Sequence, residues 1–202
     1  QNHTCGIRAD RSLWCWGYGS NGELGVSTYS LNEGAKSLPT RVLSDGLWKH
    51  VAAGNYFTCG IQVDGSAWCW GQHYSGQLGN GRTSGNYQYN PARVSSDEPW
   101  RIVTTGYNHA CGIQENGTLW CWGDNNYGKL GNGTSYMSAL PVRVGEASDW
   151  VAVSAGADHT CGVRGTGTLY CWGSNGEGRL GDGTTEQRMT PVRAGSVDDW
   201  VG

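Results

Sequence analysis

Residues Cys59 to Gly71 read C-G-I-Q-V-D-G-S-A-W-C-W-G, a hairpin whose two cysteines stand ten residues apart. The chain carries this hairpin four times, at Cys5 to Gly17, Cys59 to Gly71, Cys111 to Gly123 and Cys161 to Gly173. In the second copy Val63-Asp64-Gly65 fits a three-residue loop, a type I turn closed by a residue in the left-handed region. Glycine adopts that conformation without the clash a β-carbon brings. Gly117 and Gly167 hold the same place, whereas Arg11 does not, so the first turn is expected to be strained or differently built. The loop sets Gln62 opposite Ser66, Ile61 opposite Ala67 and, counting back, Cys59 opposite Cys69.

Opposite residues of antiparallel strands lie about 4.5–5.5 Å apart at Cα, and a disulfide needs about 4.4–6.8 Å. The register therefore predicts Cys5–Cys15, Cys59–Cys69, Cys111–Cys121 and Cys161–Cys171. Zinc competes for the same cysteines, because His3, His109 and His159 each precede a cysteine by two residues, on the same strand face. Phe57 takes that place in the second copy and no copy supplies a fourth ligand. Buried reduced thiols are the third alternative. Disulfides are preferred, and no metal or cofactor is expected.

The chain has 202 residues, with 34 Gly, 11 Trp, 10 Tyr and one Phe. Low charge with many glycines and aromatics suits an all-β repeat fold with frequent turns. The formal charge is −3 and no basic run occurs, which argues against nucleic acid as a partner. No apolar run approaches the roughly eighteen residues of a membrane span, and no signal peptide is visible at Gln1. Four disulfides imply an oxidising compartment. Three N-glycosylation sequons agree: Asn2-His3-Thr4, Asn116-Gly117-Thr118 and Asn132-Gly133-Thr134. Asn116 falls at a hairpin tip, Asn132 in a loop expected to be exposed, and Asn2 at the entry to a strand. The expected location is secreted, outside the cell.

Successive first cysteines are 54, 52 and 50 residues apart, a period that signals a repeat architecture. The approximate hairpin-anchored units are 1–54, 55–106, 107–156 and 157–202. After each hairpin comes a glycine-rich segment ending Gly22-Glu-Leu-Gly25, Gly76-Gln-Leu-Gly79, Gly128-Lys-Leu-Gly131 or Gly178-Arg-Leu-Gly181. Pro-x-Arg follows, at Pro39, Pro91, Pro141 and Pro191, with a tryptophan nine residues later at Trp48, Trp100, Trp150 and Trp200. A short apolar strand such as Val51-Ala-Ala-Gly54 then leads to the next cysteine. All length variation falls between Leu-Gly and proline, at 14, 12, 10 and 10 residues. One loop per unit thus tolerates insertion and belongs at the surface, and in a ring or stack the four would share a face.

Each unit offers about four short antiparallel strands, and four-stranded sheets repeated about an axis are propeller blades. The Gly-x4-Gly-x-Leu-Gly segment, Pro-x-Arg-Val, Trp-x2-Val-x-Ala-Gly, the His-Thr before the first hairpin strand, Asp-Gly and Trp-x-Trp-Gly together resemble the repeats of the regulator of chromosome condensation family. The resemblance spans essentially the whole chain and implies β-propeller blades of about fifty residues. Its paired cysteines resemble a cysteine-bearing, extracellular-type version of the repeat. Four units are fewer than the seven blades the family implies.

Every tryptophan has a repeat-equivalent position, which favours blade packing over a ligand platform. The two in each hairpin share the face opposite the disulfide, with Gly60 across from Trp68 leaving room for its indole. The arginines after each proline repeat likewise, as structural hydrogen-bond donors. Asp158-His159-Thr160 resembles a catalytic group, yet its equivalents are Asn108-His109-Ala110 and Tyr56-Phe57-Thr58, so no enzyme is expected. The candidate binding positions are in the non-repeating loops, at Tyr29, Tyr87 and Tyr89.

The first unit lacks a leading strand, and the segment after Trp200 starts one. That segment could close a small ring, continue into a longer array, or complete the first blade of another molecule head to tail. The leading expectation is a secreted, disulfide-stabilised, N-glycosylated structural or adhesive repeat protein that self-associates. The alternative is a recognition module that binds a protein or glycan through the loop face. Nucleotide exchange on a nuclear small GTPase, the founding family activity, is opposed by the cysteines, the sequons and the acidic balance.

Overall fold

The computed structural model describes residues 2–26, 34–85 and 87–201. Among these residues fifteen strands form four antiparallel sheets. The first has three strands, β1 (His3–Ile7), β2 (Leu13–Tyr18) and β3 (Ala35–Arg41), in that order. The second runs β4 (Trp48–Ala53), β5 (Phe57–Gln62), β6 (Ala67–Gly71) and β7 (Gln88–Arg93). The third runs β8 (Trp100–Thr105), β9 (His109–Gln114), β10 (Leu119–Gly123) and β11 (Ser138–Arg143). The fourth runs β12 (Trp150–Ala155), β13 (His159–Arg164), β14 (Leu169–Gly173) and β15 (Arg188–Arg193). Sheets thus begin at Trp48, Trp100 and Trp150, so they cut the chain one strand ahead of the hairpin-anchored units.

The turn chemistry sets the register. Gln62 N donates to the Ser66 carbonyl (2.9 Å) and Gly65, at φ 86°, closes the loop onto the Gln62 carbonyl (2.9 Å). From there Ile61 pairs with Ala67 and Cys59 with Cys69. The first hairpin makes the same turn, with Arg8 N on the Ser12 carbonyl and Arg11 held at φ 65°. It carries the left-handed strain rather than escaping it. All four cysteine pairs are bridged, Cys5–Cys15, Cys59–Cys69, Cys111–Cys121 and Cys161–Cys171, with Cα atoms 4.0–4.1 Å apart.

Each sheet has a disulfide face and a tryptophan face, and the sheets stack one upon the other. Trp48 and Trp70 of the second sheet pack on Leu13, Cys15, Leu24 and Val42 of the first. Trp100 and Trp122 pack on Cys59, Ile61, Leu78 and Val94. Trp150 and Trp172 repeat the contact on Cys111, Ile113, Leu130 and Val144. The core is therefore a series of inter-sheet seams, not one centre. Within each of the last three sheets the leading tryptophan meets the later one edge to face, at 5.7, 5.4 and 6.0 Å between centroids.

The room opposite the first hairpin tryptophan serves a different ring from the one assigned in the sequence. A Cβ on Gly60 would lie 2.7 Å from Trp48, not Trp68, and Gly112 and Gly162 face Trp100 and Trp150 in the same way. A one-residue bulge after each leading tryptophan, as between Trp48 and His50, sets that ring over the glycine. Among the described residues, no helix is long and apolar enough to cross a membrane.

Candidate binding site on the loop rim

The repeated polar residues are committed to the seams. Trp70, Trp122 and Trp172 donate their indole N–H to the carbonyls of Glu23, Gln77 and Lys129 in the preceding sheet, at 2.9, 3.0 and 2.9 Å. Thr58 and Thr160 give their hydroxyl protons to the Glu23 and Lys129 carbonyls, at 2.7 and 2.9 Å. His3 Nε2 lies 2.7 Å from Thr58 Oγ1 and His109 Nε2 lies 2.9 Å from Thr160 Oγ1. Each hydroxyl proton is already given away, so the imidazole Nε2–H must be the donor. Burial keeps both rings neutral, lowering His3 to about 4 and His109 to about 3. These histidines bind the seams, and among the described residues no group of three or more His, Cys, Asp or Glu is arranged to hold a metal ion.

The first hairpin tryptophans are also satisfied. Trp14, Trp68 and Trp120 donate to Ser12 Oγ, Ser66 Oγ and Thr118 Oγ1 at 2.7–2.9 Å. Those hydroxyls are held in turn by Asp10, Asp64 and Asn116. The arginines after proline reach nearby carbonyls, Arg143 to Glu146 and Arg193 to Ser196, both at 2.9 Å. Asp158, the acid of the catalytic lookalike, pairs with buried Lys129 at 2.8 Å, and Asp124 holds the same ammonium at 2.6 Å.

What breaks the repeat is aromatic. Tyr87 and Tyr89 lie 6.4 Å apart, and Tyr74 lies 5.7 Å from Tyr87, each pair edge to face. Tyr18 and Tyr56 meet at 6.2 Å. Partial burial, with Tyr74, Tyr18 and Tyr89 as neighbours, raises the Tyr87 hydroxyl above its usual range. Tyr89 also crosses to the first sheet, where a Cβ on Gly22 would come within 3.0 Å of its ring. Five tyrosines thus converge on the rim of the seam between the first and second sheets, with Tyr74 49% exposed and Tyr18 39% exposed. Tyr29 lies outside the described residues.

Tyr18, Tyr56 and Tyr74 went unmarked in the sequence. Their signal was a departure from the repeat: Tyr18 stands where the other copies have Gln72, Asp124 and Ser174, and Tyr56 where they have Asn108 and Asp158. Flat rings bearing hydroxyls can stack on a sugar face or pack against a protein while donating hydrogen bonds.

The sequon residues differ in their surroundings. Asn2 and Asn116 are exposed, Asn116 in the hairpin turn. Asn132 is half-buried, and its Oδ1 accepts from Thr134 N and Oγ1 and from Asn125 Nδ2, at 3.0–3.3 Å. The exposure anticipated for Asn132 is therefore only partial, because its amide braces its own loop as Asp182 does in the next copy.

Comparison with known proteins places these observations in context. The model of the Regulator of chromosome condensation (RCC1) repeat matches residues 10–61, 64–113, 116–163 and 166–201. The Ultraviolet-B receptor UVR8 of Arabidopsis thaliana is 30% identical over 147 residues, covering 68% of this chain and 32% of that protein. In structure the chain is similar to human WBSCR16, with TM-score 0.85 at 23% identity over 97% of this chain and 51% of the other. Prp20p of Saccharomyces cerevisiae, described together with its binding to Gsp1p and histones, gives TM-score 0.85 at 20% identity over 97% and 49%. The chain thus spans about half the length of these solved relatives and a third of the curated one.

Proposed function

The chain belongs to the regulator of chromosome condensation repeat family, and from that premise we propose that it is a secreted, N-glycosylated structural or adhesive protein, not an enzyme. The observation that carries this reading is the division of labour among its side chains. The repeated tryptophans, histidines, threonines and cysteines are spent on holding sheets together, and four disulfides seal the hairpins. Small hairpins cross-linked in this way fit an oxidising environment. Asn116 and Asn2, both exposed, are the favoured glycan positions, and half-buried Asn132 ranks last. Self-association belongs to the same reading, with one blade docking on another molecule's.

A second reading has its own observation, the five-tyrosine rim. Through it the chain would recognise an extracellular glycan or protein, a reading in keeping with Prp20p, which is described with its binding to Gsp1p and histones.

Intact mass before and after reductant and glycosidase tests the compartment. A gain of two hydrogens per bridge on reduction and a loss of glycan mass support it, and a mass unchanged by both treatments refutes it. A glycan array and a pull-down from secreted proteins, run with Tyr74→Ala and Tyr87→Ala variants, test the rim. Binding that survives both substitutions refutes the second reading.

A further inference from the structure

We infer that the five-tyrosine rim binds an uncharged polysaccharide, its exposed rings stacking on the faces of successive hexopyranose units. The inference rests on the recognition reading proposed above and names its ligand class. The rim lies over an internal seam, which the Trp70 indole and the Thr58 hydroxyl close onto the Glu23 carbonyl at 2.9 and 2.7 Å.

The rings of the rim are held in place. Tyr74 has Tyr87 edge-on at 5.7 Å and the buried His73 ring tilted against it at 5.6 Å. Tyr18 meets Tyr56 at 6.2 Å, and Tyr87 meets Tyr89 at 6.4 Å. Half-buried Tyr56, Tyr87 and Tyr89 thus buttress the two exposed rings, Tyr74 and Tyr18. A braced tyrosine offers a large flat area and has little rotamer freedom left to lose on binding.

The second feature is charge. The segments that build the rim, residues 17–22, 54–58, 71–80 and 84–90, contain no Asp, Glu, Lys or Arg. The equivalent segments at the third and fourth sheets carry Asp124, Asp158, Glu177, Arg179, Glu186 and Arg188. Three charged residues border the neutral stretch. Glu23 is fully buried, Lys36 is half-buried on β3 opposite Gly17, and Arg82 is exposed beyond Gly81. The tyrosines therefore gather where the repeat has shed its charges.

That combination selects the ligand. A hexopyranose has a face of C–H bonds that packs on an aromatic ring, and an edge of hydroxyls that exchange hydrogen bonds with phenols and amides. The rim supplies the rings, their hydroxyls and the half-buried amide of Gln72, whose backbone N–H holds the Tyr56 carbonyl at 2.9 Å. A charged glycan or a charged peptide is recognised by fixed charges of opposite sign, and these segments offer none. Two exposed rings on one surface suit successive sugars of a chain.

Calorimetry of the full chain tests this with four probes: a soluble neutral glucan, a neutral galactomannan, a polyuronate and a sulfated polysaccharide. A neutral polymer should bind, and its affinity should hold within about twofold up to about 1 M salt, where charge–charge attraction is screened beyond about 3 Å. Tyr74→Ala and Tyr18→Ala should each weaken binding about tenfold, the scale of one lost aromatic contact. Tyr74→Phe keeps the ring and should retain most of the affinity, which separates lost stacking from lost folding. Tyr136→Ala removes an aromatic 81% exposed on another sheet's loop and should change nothing. Preference for the polyuronate or the sulfated polymer, or affinity abolished by salt, overturns the neutral class and leaves rim recognition standing. Tyrosine-dependent capture of a secreted protein with no polysaccharide bound does the same. Neutral-polymer binding untouched by Tyr74→Ala and Tyr18→Ala, or no binding to any of these probes or proteins, overturns both the ligand class and the rim.

Discussion

Four different side chains, Glu23, Gln77, Lys129 and Arg179, occupy the position before each Leu-Gly pair, where the backbone carbonyl is the repeated feature. The side chains are free to differ only as far as burial allows. Glu23 is fully buried, its Oε2 accepts from Asn21 N at 2.8 Å, and burial raises its carboxyl to about 7. Gln77 makes the same contact, from Ser75 N to Oε1 at 2.9 Å, without a charge. Glu23→Gln should therefore be silent in acid and stabilising above about pH 7, checked by melting temperature across pH. Lys129 is 1% exposed and its ammonium is compensated by Asp124 and Asp158. Removing the two acids together should cost about 3–5 kcal/mol by stranding the charge, with Lys129→Gln as the mild control; equilibrium unfolding measures both. Neither the buried cation nor its acids could be read from the sequence, since the partners come from different sheets and a lysine in a glycine-rich loop reads as solvated.

At the scale of the hairpin the sequence was nearly transparent, because turn type, register and cysteine pairing follow from one another over about ten residues. The first hairpin shows the cost of departing from glycine. Arg11 at φ 65° makes the turn that Gly65 makes at φ 86°, so Arg11→Gly should stabilise by about 0.5–1 kcal/mol. The reverse experiment, Gly65→Ala, should destabilise by more than 1 kcal/mol, roughly the left-handed penalty, since its Cβ would also come 2.6 Å from Pro99. Replacing Cys111 and Cys121 together by alanine should cost about 3 kcal/mol in the chain-entropy account, read as a lower denaturation midpoint. The tyrosine rim was only half legible. Tyr87 and Tyr89 stood out within a loop of variable length, whereas Tyr56 and Tyr74 come from fixed-length turns of the same sheet and Tyr18 from the first sheet, a meeting that spacing along the chain does not encode.

Across the whole molecule, the buried titratable groups pull stability in opposite directions with pH. Unfolded histidine binds a proton below about 6.5, while His109 and His3 stay neutral in the fold down to about 3 and 4, so their contribution is lost as pH falls from 6.5. Glu23 is raised from 4.5 to about 7, so its contribution is complete below 4.5 and lost as pH rises through 7. With two histidines against one carboxyl the net slope stays positive from pH 4.5 to 6.5, so these groups place the stability maximum near pH 6.5–7, and Glu23→Gln should turn the decline above it into a plateau; thermal melts in buffers from pH 3 to 9 check the change. The period, the strand number and the stacking of indole on glycine were visible in the spacing because each repeats. Which indole fills which glycine was not, since Trp48 rather than Trp68 covers Gly60 owing to a bulge that the residue pattern does not announce.

Every disulfide lies inside a single sheet, joining cysteines ten residues apart, and none crosses a seam. Under mechanical load the sheets can therefore part from one another while each keeps its central hairpin tied. Each tie withholds on the order of 30 Å of extensible chain, so a stretched molecule would give way sheet by sheet in short steps and retain four intact nuclei from which to refold.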